Sequence, residues 1–98
     1  MKNFKTFNLA VEFYRAMRAL RLPGPEPDQC RRAALSIALN LAEGRGKSTL
    51  KDQLRFFSIA MGSVRECQAI LLLCELQGSK YWALLDSLGA SLCKLIRN

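Results

Sequence analysis

Apolar residues return at helical spacing in four separate stretches of this chain, and polar or conformationally restricted residues separate them. In the first stretch, residues 4–22, Phe4, Phe7, Val11, Tyr14, Met17 and Leu20 form a stripe, with Lys5, Glu12, Arg15 and Arg18 mostly off it. The run Leu22-Pro23-Gly24-Pro25-Glu26-Pro27 follows, and its prolines forbid a continuous helix. A second helix is predicted from Pro27 or Asp28, because proline suits a first turn and an acid suits the N-terminal dipole. Its inward face is Cys30, Ala33, Ala34, Ile37, Ala38, Leu41 and Ala42, and Gly44 and Gly46 end it.

Thr49, with Asp52 three residues on, resembles a capping box and opens the third pattern, which runs to Gln77 and is the longest. Leu54, Phe57, Met61 and Val64 lie on its inward face, and Gly78 and Ser79 are its stop. Gly62 falls inside it at a cost of about 1 kcal/mol relative to Ala, which predicts close approach by another helix. From Lys80 to Ile96 the spacing returns as Leu85, Leu88, Leu92 and Leu95, with Trp82 anchoring the first turn. The predicted fold class is all-α: a single antiparallel up-down-up-down four-helix bundle, one domain over residues 1–98.

Composition narrows the class. Half of the 98 residues are hydrophobic, and a chain of this size buries about 60–65% of its unfolded surface, enough for a modest core. The longest apolar run, Ala69 to Cys74, falls well short of the roughly 20 residues that span a bilayer. Met1 to Leu9 lacks the apolar centre of a signal peptide. No membrane partner and a cytoplasmic location are expected. Cys30, Cys67, Cys74 and Cys93 stand at apolar or small helical positions without C-x-x-C spacing, and the chain has no His. Buried, reduced thiols are expected, with no metal and no cofactor. The missing His removes the commonest general base, and no two acids are placed as a catalytic pair, so no enzyme is expected.

Charge adds a functional lead. The net charge is +7 and unevenly spread: Lys2, Lys5, Arg15, Arg18 and Arg21 meet only Glu12 in residues 1–22, and Arg45, Lys47, Lys51 and Arg55 meet only Asp52 in residues 44–55. In an up-down-up-down bundle the chain start lies near the second connection, so Lys2, Lys5, Arg45, Lys47 and Lys51 gather at one end. Lys47, Lys51 and Arg55 recur every four residues, one face if the first turn is helical. Arg15, Arg18 and Arg21 meet Arg31 and Arg32 at the other end. Such ends attract phosphate backbones with little sequence preference. The competing reading is a solvated surface, and aromatics on apolar stripes leave few rings for base stacking.

Gly44-Arg45-Gly46-Lys47-Ser48 is not a P-loop, since Leu41 stands where the motif needs Gly and a helix precedes it instead of a strand. Asn40 and Glu43 are the polar residues that core packing explains least. Glu43 sits at a helix C-terminus, where the dipole disfavours an acid, so pairing with Arg45, Lys47 or an arginine of another helix is expected. The apolar content also exceeds what four stripes use. Neighbouring helical side chains diverge by about 100°, so Phe56–Phe57, Leu71–Leu72–Leu73 and Leu84–Leu85 cannot all face inward. Phe56, Leu72 and Leu84 are therefore expected in an oligomer interface.

The segment QCRRAALSIALNLAEGRGKST, followed by FFSIAMGSVRECQ, resembles the signature of the 23S ribosomal RNA intervening-sequence family of small bacterial four-helix-bundle proteins. The matching positions are Gln29, Arg32, Ala33, Ser36, Ile37, Asn40, Ala42, Glu43 and Gly44, then Ile59, Ala60, Gly62, Ser63 and Glu66. Asn40, Glu43, Gly44 and Gly62 belong to its structural motif. Ala38 stands where the family often has Pro, and Leu41 replaces a common Ile. The resemblance implies a ring-forming bundle, commonly a pentamer. It also implies kinship with accessory proteins of diversity-generating retroelements, which partner a reverse transcriptase and bind nucleic acid through a basic surface. The functional expectation is a non-enzymatic RNA- or DNA-binding accessory protein using Arg45, Lys47, Lys51 and Arg55, with support from Lys2 and Lys5. The alternative is a protein-binding oligomeric scaffold with no nucleic-acid role.

Overall fold

Four amphipathic faces need one shared interior, and the chain supplies it by folding back on itself three times. The computed structural model describes residues 4–97, which form α1 (Lys5–Ala19), α2 (Glu26–Arg45), α3 (Leu50–Leu73) and α4 (Lys80–Arg97). No strand occurs among the described residues. Each helix packs on its chain neighbour, most intimately α2 on α3, and α1 closes the square against α4. The result is the expected all-α four-helix bundle. Phe13 and Met17, Ile37 and Leu41, Val64 and Leu71, and Leu85, Leu88 and Leu92 lose essentially all solvent contact. Each such side chain stabilises the fold by about 1.5–3 kcal/mol.

In α1 the buried line is Phe4, Thr6, Ala10, Phe13, Met17 and Leu20, while Phe7, Val11 and Tyr14 are only half-buried. Phe13, absent from the stripe read along residues 4–22, is fully buried, and Thr6 lies on the same line. Thr6 shares a hydrogen bond of 2.6 Å with the Ser91 hydroxyl on α4, which lets a polar residue take an inward position. α1 also ends at Ala19, short of Leu22. There Arg31 of α2 donates from Nε to the Met17 carbonyl at 3.0 Å and from Nη2 to the Leu20 carbonyl, while also pairing with Asp28. Carbonyls that a helix end leaves open are satisfied by this guanidinium.

α3 stops at Leu73 and not at Gln77. Glu75 takes the left-handed conformation, with φ of 57°. Its N–H bonds the Leu72 carbonyl at 3.0 Å, and the Leu76 N–H bonds the Leu71 carbonyl at 2.9 Å, the two bonds of a Schellman cap. Leu76 packs on the core beside it. Gly78, the residue that sequence favours for this role, sits in the following turn with φ of 90°. Glu75→Gly is expected to stabilise the protein by about 0.5–1 kcal/mol, since Gly carries no left-handed penalty. A urea unfolding midpoint below that of the parent would contradict this account of the cap.

Gly62 does not serve the close approach expected of it within the chain: it is exposed, and a Cβ there would meet nothing within 4 Å. Gly44 has that role instead. A Cβ on Gly44 would lie 2.8 Å from Phe57 Cε1 and 3.0 Å from Phe56 Cβ. The 24 residues of α3 span about 36 Å at 1.5 Å per residue, most of the 42 Å long axis. An 18-residue window of α3 has a mean hydropathy of 1.4, long and apolar enough by composition to cross a membrane, and only 28% of it is buried. Arg65 and Glu66 stand mid-helix. What distinguishes α3 is therefore apolar surface that the single chain leaves uncovered.

Candidate nucleic-acid interface

The connection between α2 and α3 is short and braced on both sides. Gly46 closes α2 through bonds from its N–H to the Ala42 and Glu43 carbonyls, and Lys47 donates to the Gly44 carbonyl at 3.1 Å. Thr49 Oγ1 accepts from the Asp52 N–H at 3.2 Å, the N-cap that the sequence indicates, and α3 begins at Leu50. Gln53 Nε2 donates back to the Lys47 carbonyl at 2.9 Å. The cations of this loop are consequently carried on a fixed backbone.

Two phenylalanines then hold them. Phe4 is buried at the start of α1, 6.3 Å between ring centroids from Phe57 of α3, and the Arg45 guanidinium lies 4.6 Å above its ring. This contact ties the chain start to the end of α2, as the up-down-up-down order requires. Phe56 is half-buried and carries two cations, Lys47 Nζ at 5.1 Å and the Arg55 guanidinium at 4.6 Å. Cation–π contacts at exposed sites contribute about 0.5–1 kcal/mol each. Glu43 pairs with Lys47 at 3.0 Å, which accounts for an acid at a helix C-terminus.

Arg45, Lys47, Lys51 and Arg55 thus surround one end of the bundle. Lys47 precedes α3, so the three-residue stripe Lys47–Lys51–Arg55 is not a single helical face; the Phe56 ring joins Lys47 to Arg55 instead. Lys51 is exposed on the first turn of α3. Lys5 is exposed at the start of α1, beside a shallow depression shared with Asn8, Leu9 and Glu12. Lys2 lies outside the described residues. Lys94, in the last turn of α4, joins this end and was not singled out from the sequence, because its neighbourhood depends on α4 packing against the start of α3. The aromatic support was also missed. Its one sequence signal is the pair Arg55-Phe56, a cation beside a ring that cannot face inward with Phe57.

The opposite end differs. Arg31 is committed to the α1 carbonyls and Asp28, Arg21 donates to the Arg18 and Leu20 carbonyls, and the Arg18 guanidinium lies 6.0 Å from the Tyr14 ring centroid. Much of that positive charge therefore closes a helix end. Asn40 bonds within α2, its Nδ2 donating to the Ser36 carbonyl and hydroxyl at 2.9 and 3.1 Å, and the tie between helices is Ser63 Oγ of α3, 2.9 Å from Ser36 Oγ. Of the expected interface residues, Leu72 is exposed, while Leu84 is half-buried against the core.

Cys30 and Cys67 are buried and Cys74 and Cys93 only half-buried, all four free. Interaction with Cys30 and burial push the Cys67 thiol up, so it is neutral at pH 7. Among the described residues no cluster of Cys, Asp or Glu is placed to hold a metal ion.

The sequence model for 23S rRNA-intervening sequence proteins matches residues 4–84, which include the basic connection and the first turn of α4. The chain belongs to the 23S rRNA-intervening sequence protein family. A comparison with curated proteins finds no match. The family match covers α1, α2 and α3 whole, so the Phe4–Arg45 contact and the Phe56 platform both fall within it.

Proposed function

We propose that this 23S rRNA-intervening sequence protein is a non-enzymatic accessory protein that binds RNA or DNA by its phosphate backbone, and that it works as a homo-oligomer in the cytoplasm. The observation that carries the reading is the fixed set of cations at one end, Arg45 on Phe4 and Lys47 and Arg55 on Phe56. Cations already held by rings lose little freedom when they meet phosphate, and contacts made chiefly to phosphate give salt-dependent binding with little sequence preference. Four free thiols fit a reducing compartment. A reverse transcriptase is the protein partner to test first. A gel-shift titration with mixed-sequence RNA and duplex DNA at about 0.15 M salt is expected to show a shift at micromolar protein. No shift with either would favour a protein-binding scaffold.

Self-association rests on a separate observation. Leu35, Leu39, Ile59, Leu72 and Leu73 are 41%, 59%, 45%, 48% and 77% exposed, large apolar side chains on α2 and α3 that an interface would cover. Helical geometry puts Ile59 and Leu72 roughly 140° apart around α3, so the two flanks differ, as an interface between unlike surfaces requires. Such interfaces close into rings when the rotation permits, a pentamer being the expected size. Sedimentation equilibrium is expected to show an oligomer that Leu39→Glu with Leu72→Glu converts to monomer. A monomeric parent at all concentrations would remove the ring.

A further inference from the structure

The basic end also contains a cleft of about 410 Å³ between the start of α3 and the end of α4. Leu54, Phe57 and Leu95 form its apolar walls, Arg45 and Lys94 stand at its rim, and Gln53 lines one side. No acid is among its lining residues. Gln53 Nε2 is engaged by the Lys47 carbonyl, which leaves its Oε1 as an acceptor. Apolar walls with a few polar groups and a volume within the range of roughly 300–1,000 Å³ are features of small-ligand pockets.

We infer that this cleft takes one unpaired nucleotide of a single strand. The base sits between the apolar walls, Gln53 Oε1 accepts from an amino or imino group on its edge, and the flanking phosphates lie on Arg45 and Lys94. The inference rests on the proposed phosphate binding and deepens it by naming the form of nucleic acid. A paired base cannot enter a concave site without being unstacked, whereas a single-stranded base is available to any apolar surface, and each such contact is worth about 1–3 kcal/mol. A purely aliphatic anion would leave the Gln53 acceptor unused. Single strands are therefore bound more tightly than duplex of equal length, and Lys94 matters chiefly for the single strand.

The test is fluorescence anisotropy with a ten-nucleotide oligothymidine and a ten-base-pair duplex, on the parent and on Lys94→Gln. The exposed Lys94 has no packing role, so the variant keeps the fold, which circular dichroism checks. Loss of one phosphate contact is expected to weaken the single strand about five- to tenfold and the duplex less than twofold. Photocrosslinking of an oligonucleotide carrying 5-iodouracil is expected to label residues 50–57 or 92–95. Equal affinities with no effect of Lys94→Gln, or crosslinks elsewhere, overturn the cleft while leaving backbone binding intact. No binding of either oligonucleotide removes both.

Discussion

Gly44→Ala is expected to cost about 1–3 kcal/mol of unfolding free energy, the usual cost of overpacking a close-packed contact. The added methyl would stand 2.8 and 2.9 Å from two atoms of the Phe57 ring and 3.0 Å from Phe56 Cβ. Phe57 cannot step aside freely, because it is itself buried against Phe4. Relief must come from α2 and α3 moving apart, and those two helices form the most extensive packing in the bundle. Gly62→Ala is the natural control. No atom lies within 4 Å of the new methyl, so within the protomer the change should stabilise α3 by up to about 1 kcal/mol. Urea melts of the two variants at low protein concentration should therefore shift in opposite directions. A Gly44→Ala protein as stable as the parent would show that the helices are not in close contact at that point.

The second large effect concerns binding. Neutralising Lys47, Lys51 and Arg55 together, as Lys47→Gln, Lys51→Gln and Arg55→Gln, removes three of the cations around the α2–α3 connection. Counterion release makes each phosphate contact worth about 0.9 logarithmic units per decade of salt, so the triple variant should lose about 10²–10³-fold in affinity at 0.1 M salt. Stability should fall by only about 1–2 kcal/mol, from the two cation–π contacts on Phe56, since the exposed Glu43–Lys47 pair adds little. Titration of labelled duplex DNA with parent and variant reads the difference. A variant that binds like its parent would place the nucleic acid on another face.

The four helices and their order were legible from apolar spacing, and α2 shows why. Cys30, Ala33, Ala34, Ile37, Ala38 and Leu41 are all buried where the period puts them, and Ala42 at the edge of that face is half-buried. The failures came where a distant residue changes a local preference. Thr6 turns inward because Ser91, far along the chain, offers a hydroxyl. α1 ends early because Arg31 reaches its carbonyls. The left-handed residue that caps α3 is Glu75 and not a glycine, and Leu76 packs on the core just after it. The meeting of Arg45 with the chain start at Phe4 followed from topology. The aromatic supports did not, since an outward ring such as Phe56 reads in sequence equally well as an interface residue.

The most direct test of phosphate binding at this end is a salt series. Association of the parent with a mixed-sequence duplex, measured by anisotropy between 50 and 200 mM salt, should follow a straight line in log K against log salt. For contacts from Arg45, Lys47, Lys51 and Arg55 the slope per bound protomer should be about −3 to −4, a loss of roughly 10²-fold across the series. A slope near zero, or no binding at micromolar protein in 50 mM salt, would contradict the account.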